Sequence, residues 1–341
     1  MKKQILLILM ACIAIGIFST STVSAQSKIY SFDKKISLPG DGGYDYLFID
    51  QQNRKLYVSH GTAVHVIDLD KEELIGSIGG MQGNHGIAVA AGKGFISDGK
   101  ANAVVVFDVN TLKTITTIPL KGVKPDAIIY DPFSNQVFAF NGGSNNVSVI
   151  DVVSMKEVGT ISVGGGPEFA VADGHGKIYN NIEDKNSLKI IDSKSLKIIN
   201  SLPLAPCGGP TGLALDSVNQ RLFSACRENK GMSVVDIKTG KVIVTVPIGA
   251  GVDAVAYDAT TKLIFCSNGD ATTTIIKQET ADDYKVVQTL ATQARAKTLA
   301  LDSKTHKIYL SVVDFASGTK NPIPGSFKLL VYKMSESSFN W

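Results

Sequence analysis

One strand pattern returns about every 42 residues along this chain, and that repeat limits its fold more than any other feature of the sequence. The pattern is a polar residue, an alternating apolar run and a closing Asp. It spans Asp45 to Asp50, Asp126 to Asp131, Glu168 to Asp173, Thr211 to Asp216, Asp253 to Asp258 and Lys297 to Asp302. A seventh copy, His85 to Ala90, lacks the final Asp. From Asp131 the closing acids Asp173, Asp216, Asp258 and Asp302 follow at spacings of 42, 43, 42 and 44 residues.

Each copy leads through a polar turn into a second β-rich run, such as Lys55 to His60, Gln136 to Asn141 or Lys307 to Val312. A third run ends in an apolar pair and an Asp, at Asp68, Asp108, Asp151, Asp192 and Asp236. A carboxylate placed there can accept backbone N–H groups of the turn that follows. Fourth runs are Glu157 to Val163 and Val242 to Ile248. Four short alternating strands per unit describe a propeller blade, so the chain is predicted to be an all-β, seven-bladed β-propeller with four antiparallel strands per blade. No helix-period stretch supports a βαβ fold, and four hairpin-linked strands per unit do not fit a one-strand-per-coil solenoid. The blades are predicted over 42–78, 80–120, 122–163, 164–204, 207–248, 249–292 and 294–333, all within one domain at 26–341. The last unit has only three strands before the C terminus. The segment 28–38 is predicted to be its fourth, closing the ring and covering an edge that would otherwise invite aggregation.

Ahead of the repeats, Lys2 and Lys3 precede an apolar run from Ile5 to Phe18 and a small-residue stretch ending Val23, Ser24, Ala25. That order is expected of a cleaved secretory signal over residues 1–25, which sends the chain to the periplasm, the cell surface or the medium. A lipoprotein reading through Leu9, Met10, Ala11 and Cys12 competes, but the residues after Cys12 stay apolar. The apolar run is short for a bilayer span, so no membrane span is expected.

The 34 basic and 31 acidic residues include only Lys2 and Lys3 within the leader, so the mature chain is nearly neutral. It has no global field for nucleic acid or anionic membrane. Cys207, Cys226 and Cys266 remain, too few for disulfides to be the main support of the fold. Cys207 leads into blade five and Cys226 ends that blade's second strand, which leaves a disulfide between them open; Cys266 reads as a small buried hydrophobe.

Tyr57, Val58, Ser59 and His60, the strand Asn146 to Asp151, the turn Gly240-Lys241 and the lead-ins Gly164 to Pro167 and Gly208 to Pro210 resemble the YVTN-repeat family of β-propellers. The resemblance covers residues 27 to 334 and departs from the family tetrapeptide in its Ser and His. It is also degenerate in the sixth blade at Ile275, Ile276 and Lys277. It implies an exported surface or periplasmic binding module, and some members are similar to proteins that bind single-stranded DNA.

A propeller binds at one mouth of its channel, where the loops into first strands and out of second strands meet. The lead-in position reads Asp45, His85, Asp126, Glu168, Thr211, Asp253 and Lys297, and the second strands end at His60, Asp98, Asn141, Ile182, Cys226, Ser267 and Val312. One step further lie Glu183, Arg227 and Asn268, and two steps further Asp314. The candidate ligand-binding rim is therefore Asp45, His60, His85, Asp98, Asp126, Asn141, Glu168, Arg227, Asp253 and Lys297. His60, His85 and Asp98 form its densest local group. Carboxylates would suit Ca²⁺ or Mg²⁺, and two imidazoles would shift the choice toward zinc. If a cation is bound, Asp45, His85, Asp126 and Glu168 are its expected ligands. Against this, rim polar groups often only satisfy nearby backbone. Yet like charges held close cost free energy unless a cation or donor offsets them, and Lys297 is such a donor. The irregular stretch Asp314 to Gly325 is expected to overhang the rim as a partial lid or docking loop, or as a variable surface loop.

Three functions follow. The first is an exported, non-catalytic binding or scaffold protein, expected to be a monomer, whose partner is a protein, glycan or small molecule; no Gly-x-Ser-x-Gly, His-Glu-x-x-His or phosphate loop is present, and no catalytic residue is assigned. The second is a metal-dependent hydrolase or lyase similar to gluconolactonase-like and virginiamycin-lyase-like propellers, with His60 as an extra base. The third is single-stranded nucleic-acid binding through Lys124, Lys297, Arg227 and Tyr44, which the acidic rim disfavours.

Overall fold

The computed structural model describes residues 28–319 and 321–335. The leader at 1–25 lies outside them. Strands account for nearly all regular structure, and among the described residues the one helical turn is Glu183–Lys185. They form seven four-stranded antiparallel sheets, six of which take their strands in chain order from the hub outward. Blade one runs from Tyr44–Asp50 at the hub through Lys55–His60 and Ala63–Asp68 to Glu73–Ile78 at the outside.

The seventh sheet departs from that order in the way the sequence predicts. Its outermost strand is Tyr30–Ser37, paired antiparallel with Lys328–Met334, so the first and last strands of the described residues meet in one blade. Tyr30 is fully buried there, edge-on to Phe265, and its hydroxyl donates to the His306 carbonyl at 2.6 Å. Ion pairs flank the closure: Lys307 bridges Asp33 and Glu72, and Lys34 reaches Glu72.

Alternation makes each blade apolar on both faces, and the core lies between neighbouring blades. Tyr57, Val64 and Val66 of blade one, for example, pack on Ile87, Ile96 and Phe107 of blade two. The recurring spacing of the Asp residues has a turn-forming cause. Asp50, Asp131, Asp216, Asp258 and Asp302 each accept backbone N–H groups two or three residues onward. Asp68, Asp108, Asp151, Asp192 and Asp236 do the same at the next turn. In the degenerate sixth blade that acid is replaced by Lys277, whose Nζ donates to the Thr261 carbonyl at 2.9 Å, and the next residue, Gln278, is buried and donates to Asp216 at 2.8 Å.

Cys207 and Cys226 form a disulfide, with 5.3 Å between their Cα atoms. Cys266 is a buried free thiol. The bridge fastens the loop into blade five to the end of that blade's second strand, one residue before Arg227.

Candidate functional site

The first strands carry a shared irregularity that builds the site. In six blades the pairing of first with second strand skips at the lead-in: between Tyr44 and Leu47, Asn84 and Ile87, Pro125 and Ile128, Pro167 and Ala170, Pro210 and Leu213, and Val252 and Ala254. A bulge frees a residue from the ladder and re-aims its side chain. The freed positions are Asp45, His85, Asp126, Glu168, Thr211 and Asp253. Neighbouring blades approach closely here. A Cβ on Gly86 would lie 2.9 Å from the Asp126 carbonyl oxygen, so only glycine fits that position without a shift.

Second-strand side chains hold the lead-in backbone of the adjacent blade. Ser97 Oγ donates to the Asp126 carbonyl and Ser267 Oγ to the Lys297 carbonyl, while Asn181 Nδ2 donates to the Thr211 carbonyl at 3.0 Å. These stitching residues were not singled out in the sequence, although a recurring Ser before the second-strand end marks them.

Asp45, Asp126, Glu168, Asp253, Arg227 and Lys297 converge on one pocket of about 130 Å³ at the channel mouth. Tyr46 and Phe169 are its floor. Tyr46 crosses from blade one to pack beside the core between blades three and four, and Phe169 reaches toward that of blades six and seven. Their rings meet at 4.6 Å. Beyond them the channel widens into an apolar cavity of about 680 Å³ lined by residues such as Phe48, Val89, Ile129 and Leu215.

The mouth is divided by charge. On one side Asp253 is held by Lys297 at 2.6 Å and by Arg227 at 2.7 Å, and Arg227 also holds Glu183 at 2.8 Å. On the other side His85 Nδ1 lies 2.6 Å from Asp45 and 3.5 Å from Asp126. Burial pulls the His85 pKa down, but the Asp45 hydrogen bond and the charges of Asp126 and Asp45 outweigh it and leave it raised. For Asp126 and Glu168 the nearby cations do not outweigh burial. Burial, then the charge of Asp45, pushes Asp126 up to about 6. Burial, then the charge of Asp126, pushes Glu168 up to about 8. Asp126 Oδ1 is buried with no hydrogen-bond partner. One ligand atom each from Asp45, His85 and Asp126 lie within 4.8 Å of one another, a spacing that a cation could bridge.

The remaining rim candidates sit elsewhere. Second strands lie one strand out from the channel, so their ends face the gaps between blades. Asp98 is buried and accepts from the Gln82 and Gly83 N–H groups, both at 2.9 Å. Asn141 is buried and donates to Asn146 and Ser148. His60 stacks on Phe327 at 3.8 Å, apart from His85 and Asp98, so the structure does not assemble those three into one group. Thr211 is buried and donates to the Val252 carbonyl. The stretch from Asp314 packs over His60 rather than over the mouth pocket.

Fold and mouth together define a seven-bladed β-propeller with a polar pocket at one end of a plugged channel. No family model matches the chain. It is 25% identical over 181 residues to antigen Lp49 of Leptospira interrogans serogroup Icterohaemorrhagiae serovar copenhageni (strain Fiocruz L1-130). That match covers 51% of this chain and 39% of the antigen, so the chain spans about two fifths of its relative's length. Among solved structures it is similar in fold to a chain of Kuenenia stuttgartiensis hydrazine synthase, with a TM-score of 0.71, 14% identity and coverage of 86% of this chain and 96% of that one. A chain of the mitotic checkpoint complex gives a TM-score of 0.73 at 12% identity, covering 98% of this chain and 100% of its own. Among the described residues no helix is long and apolar enough to cross a membrane.

Proposed function

We propose that this chain is a non-catalytic binding propeller whose channel mouth receives a cationic or hydrogen-donating group of its ligand or partner. One observation carries the reading: Asp126 and Glu168 face the same small pocket, and the cations near them do not bring either carboxyl back to its ordinary range, while Asp45, Asp253, Arg227 and Lys297 sit in close ion pairs. Two carboxylates held near each other in a partly dry site favour an occupant that brings positive charge or a proton. The aromatic floor supports this, since a cation is also attracted to the face of Tyr46. Phosphate would be repelled by the same groups, which disfavours nucleic acid.

The convergence of Asp45, His85 and Asp126 supports a second reading, in which a divalent cation fills the acidic side and polarises a substrate carbonyl. One experiment separates the two. Unfolding temperature and lactone turnover are measured with CaCl₂, MgCl₂, ZnCl₂, small amines, amino acids and saccharides for the native chain, Glu168→Gln and Asp126→Asn. Stabilisation by at least one probe, lost in both variants and without turnover, is expected. Turnover abolished by Asp126→Asn would establish the second reading, and stabilisation retained in both variants would place binding elsewhere.

We also propose export and kinship with YVTN-repeat propellers. The leader pattern, the Cys207–Cys226 disulfide and the partial match to a protein named as an antigen support export, because disulfides persist in oxidising compartments. The chain recovered from its native host should have the mass of 26–341 with one disulfide. A chain that retains Met1 and reactive thiols at both cysteines contradicts it.

A further inference from the structure

We propose a second binding site, independent of the channel mouth: a pocket of about 150 Å³ between the blade-seven loop and His60 that takes a small neutral aromatic ring bearing one hydroxyl. Cavities near that size with apolar walls accept a benzene ring. Here the walls include Val313, Pro322, Ile323 and Phe327, with His60, Asp41 and Ser326 the polar groups among them.

His60 is 3% exposed, and its Nε2 has no hydrogen-bond partner. A buried polar atom left unpaired is costly, so an occupant that pairs with it gains by doing so. The ring cannot easily turn away. It stacks on Phe327, and its Nδ1 faces His65 Nε2 at 3.3 Å, while His65 Nδ1 faces Ser77 Oγ at 2.8 Å. The two imidazoles and the hydroxyl form a hydrogen-bonded chain that also meets the Pro39 backbone, and the direction of donation along it sets the tautomer of His60. His60 Nε2 thereby presents either a proton or a lone pair. A hydroxyl group satisfies both states.

Charge narrows the class further. Burial, then the neighbouring His65, keeps His60 neutral near pH 7, so the pocket offers an anion no countercharge. Asp41 lines the same pocket and accepts the Gly325 N–H at 2.8 Å, adding repulsion against carboxylates and phosphates. The outer wall is already braced without an occupant. Phe315 pairs with Pro322, Arg295 lies over the Phe315 ring at 4.1 Å, and Asp314 is tied to Lys328 and Gln293.

The test titrates the folded chain with phenol, benzene and benzoate by NMR and calorimetry. Phenol should bind saturably, benzene about tenfold more weakly, and benzoate not at all. His60→Leu should reduce phenol to the level of benzene. Ile323→Trp, at an exposed wall position, should fill the pocket and abolish binding of both, which keeps the test decisive if His60→Leu fails to fold. Absence of saturable phenol binding, as for a pocket that holds only water, would overturn the proposal. So would benzoate binding as tightly as phenol, or phenol binding that survives Ile323→Trp.

Discussion

Asp302→Ala should lower the stability of the propeller by on the order of 3–5 kcal/mol, read as a fall in the urea midpoint of unfolding. Asp302 is fully buried and receives both terminal nitrogens of Arg54 at 2.7 Å, joining blade seven to blade one across the ring closure. It also accepts from Thr305 Oγ1 at 2.7 Å and the Lys304 N–H at 3.1 Å, so one carboxylate both closes a turn and ties the first blade to the last. Removing it strands a guanidinium whose other carboxylate partner, Asp70, is half-exposed and contributes little. Burial raises the Asp302 pKa, but the Arg54, Thr305 and Lys304 hydrogen bonds outweigh it and hold it below the ordinary value. The sign follows from linkage. A carboxylate depressed in the folded state contributes stability above its unfolded pKa of roughly 4 and loses it as the pH falls through the folded value. The variant should therefore lose less stability than the native chain between pH 4 and pH 2. Replacing the pair with Arg54→Met and Asp302→Leu together should cost less than Asp302→Ala alone.

Glu168→Gln should have the opposite effect at the opposite end of the pH scale. In the folded chain, burial and then the charge of Asp126 raise Glu168 to about 8. A raised carboxylate destabilises the folded state as pH climbs from the unfolded pKa, roughly 4.3, to the folded one. The native chain should thus lose stability between about pH 4 and pH 8, and the glutamine variant should lose less, its remaining loss from Asp126 ending near pH 6. Above pH 8 the variant should be more stable by about 2 kcal/mol, less than the full shift would give because solvent reaches the mouth. Unfolding curves at pH 5, 7 and 9 check this, and parallel losses in both chains would contradict it. The same linkage governs binding. A cationic occupant displaces the Glu168 proton, so its affinity should rise between pH 6 and pH 8 in the native chain and stay flat in the variant.

The ring and its closure were legible in the sequence because they depend on short-range rules. Period-two alternation makes the strands, Asp-capped turns separate them, and a last unit short of one strand requires another from the other end of the chain. The lead-in residues were also found by aligning repeats, since each blade places the same position at the hub. The three-residue group His60, His85 and Asp98 did not assemble, because alignment gives a residue's height in a blade but not its distance from the axis. Second-strand ends lie one strand, roughly 4.8 Å, farther out than first-strand ends. Tyr46 and Phe169 were missed for a related reason. Five blades carry Gly, Ala or Thr at the position after the lead-in, while blades one and four carry rings that meet across the channel. An aromatic pair in opposite blades was the available signal, but which residues touch across a closed ring depends on its curvature and not on spacing along the chain.

The most direct measurement is a carboxyl-carbon NMR titration that follows Glu168 and Asp126. Midpoints near 8 and near 6 are expected in the unoccupied chain, both falling when a stabilising cation fills the mouth. Titration of both groups in the ordinary carboxylate range of roughly 4 to 4.5, unchanged by every probe, would contradict the reading of this mouth as a receptor for positive charge.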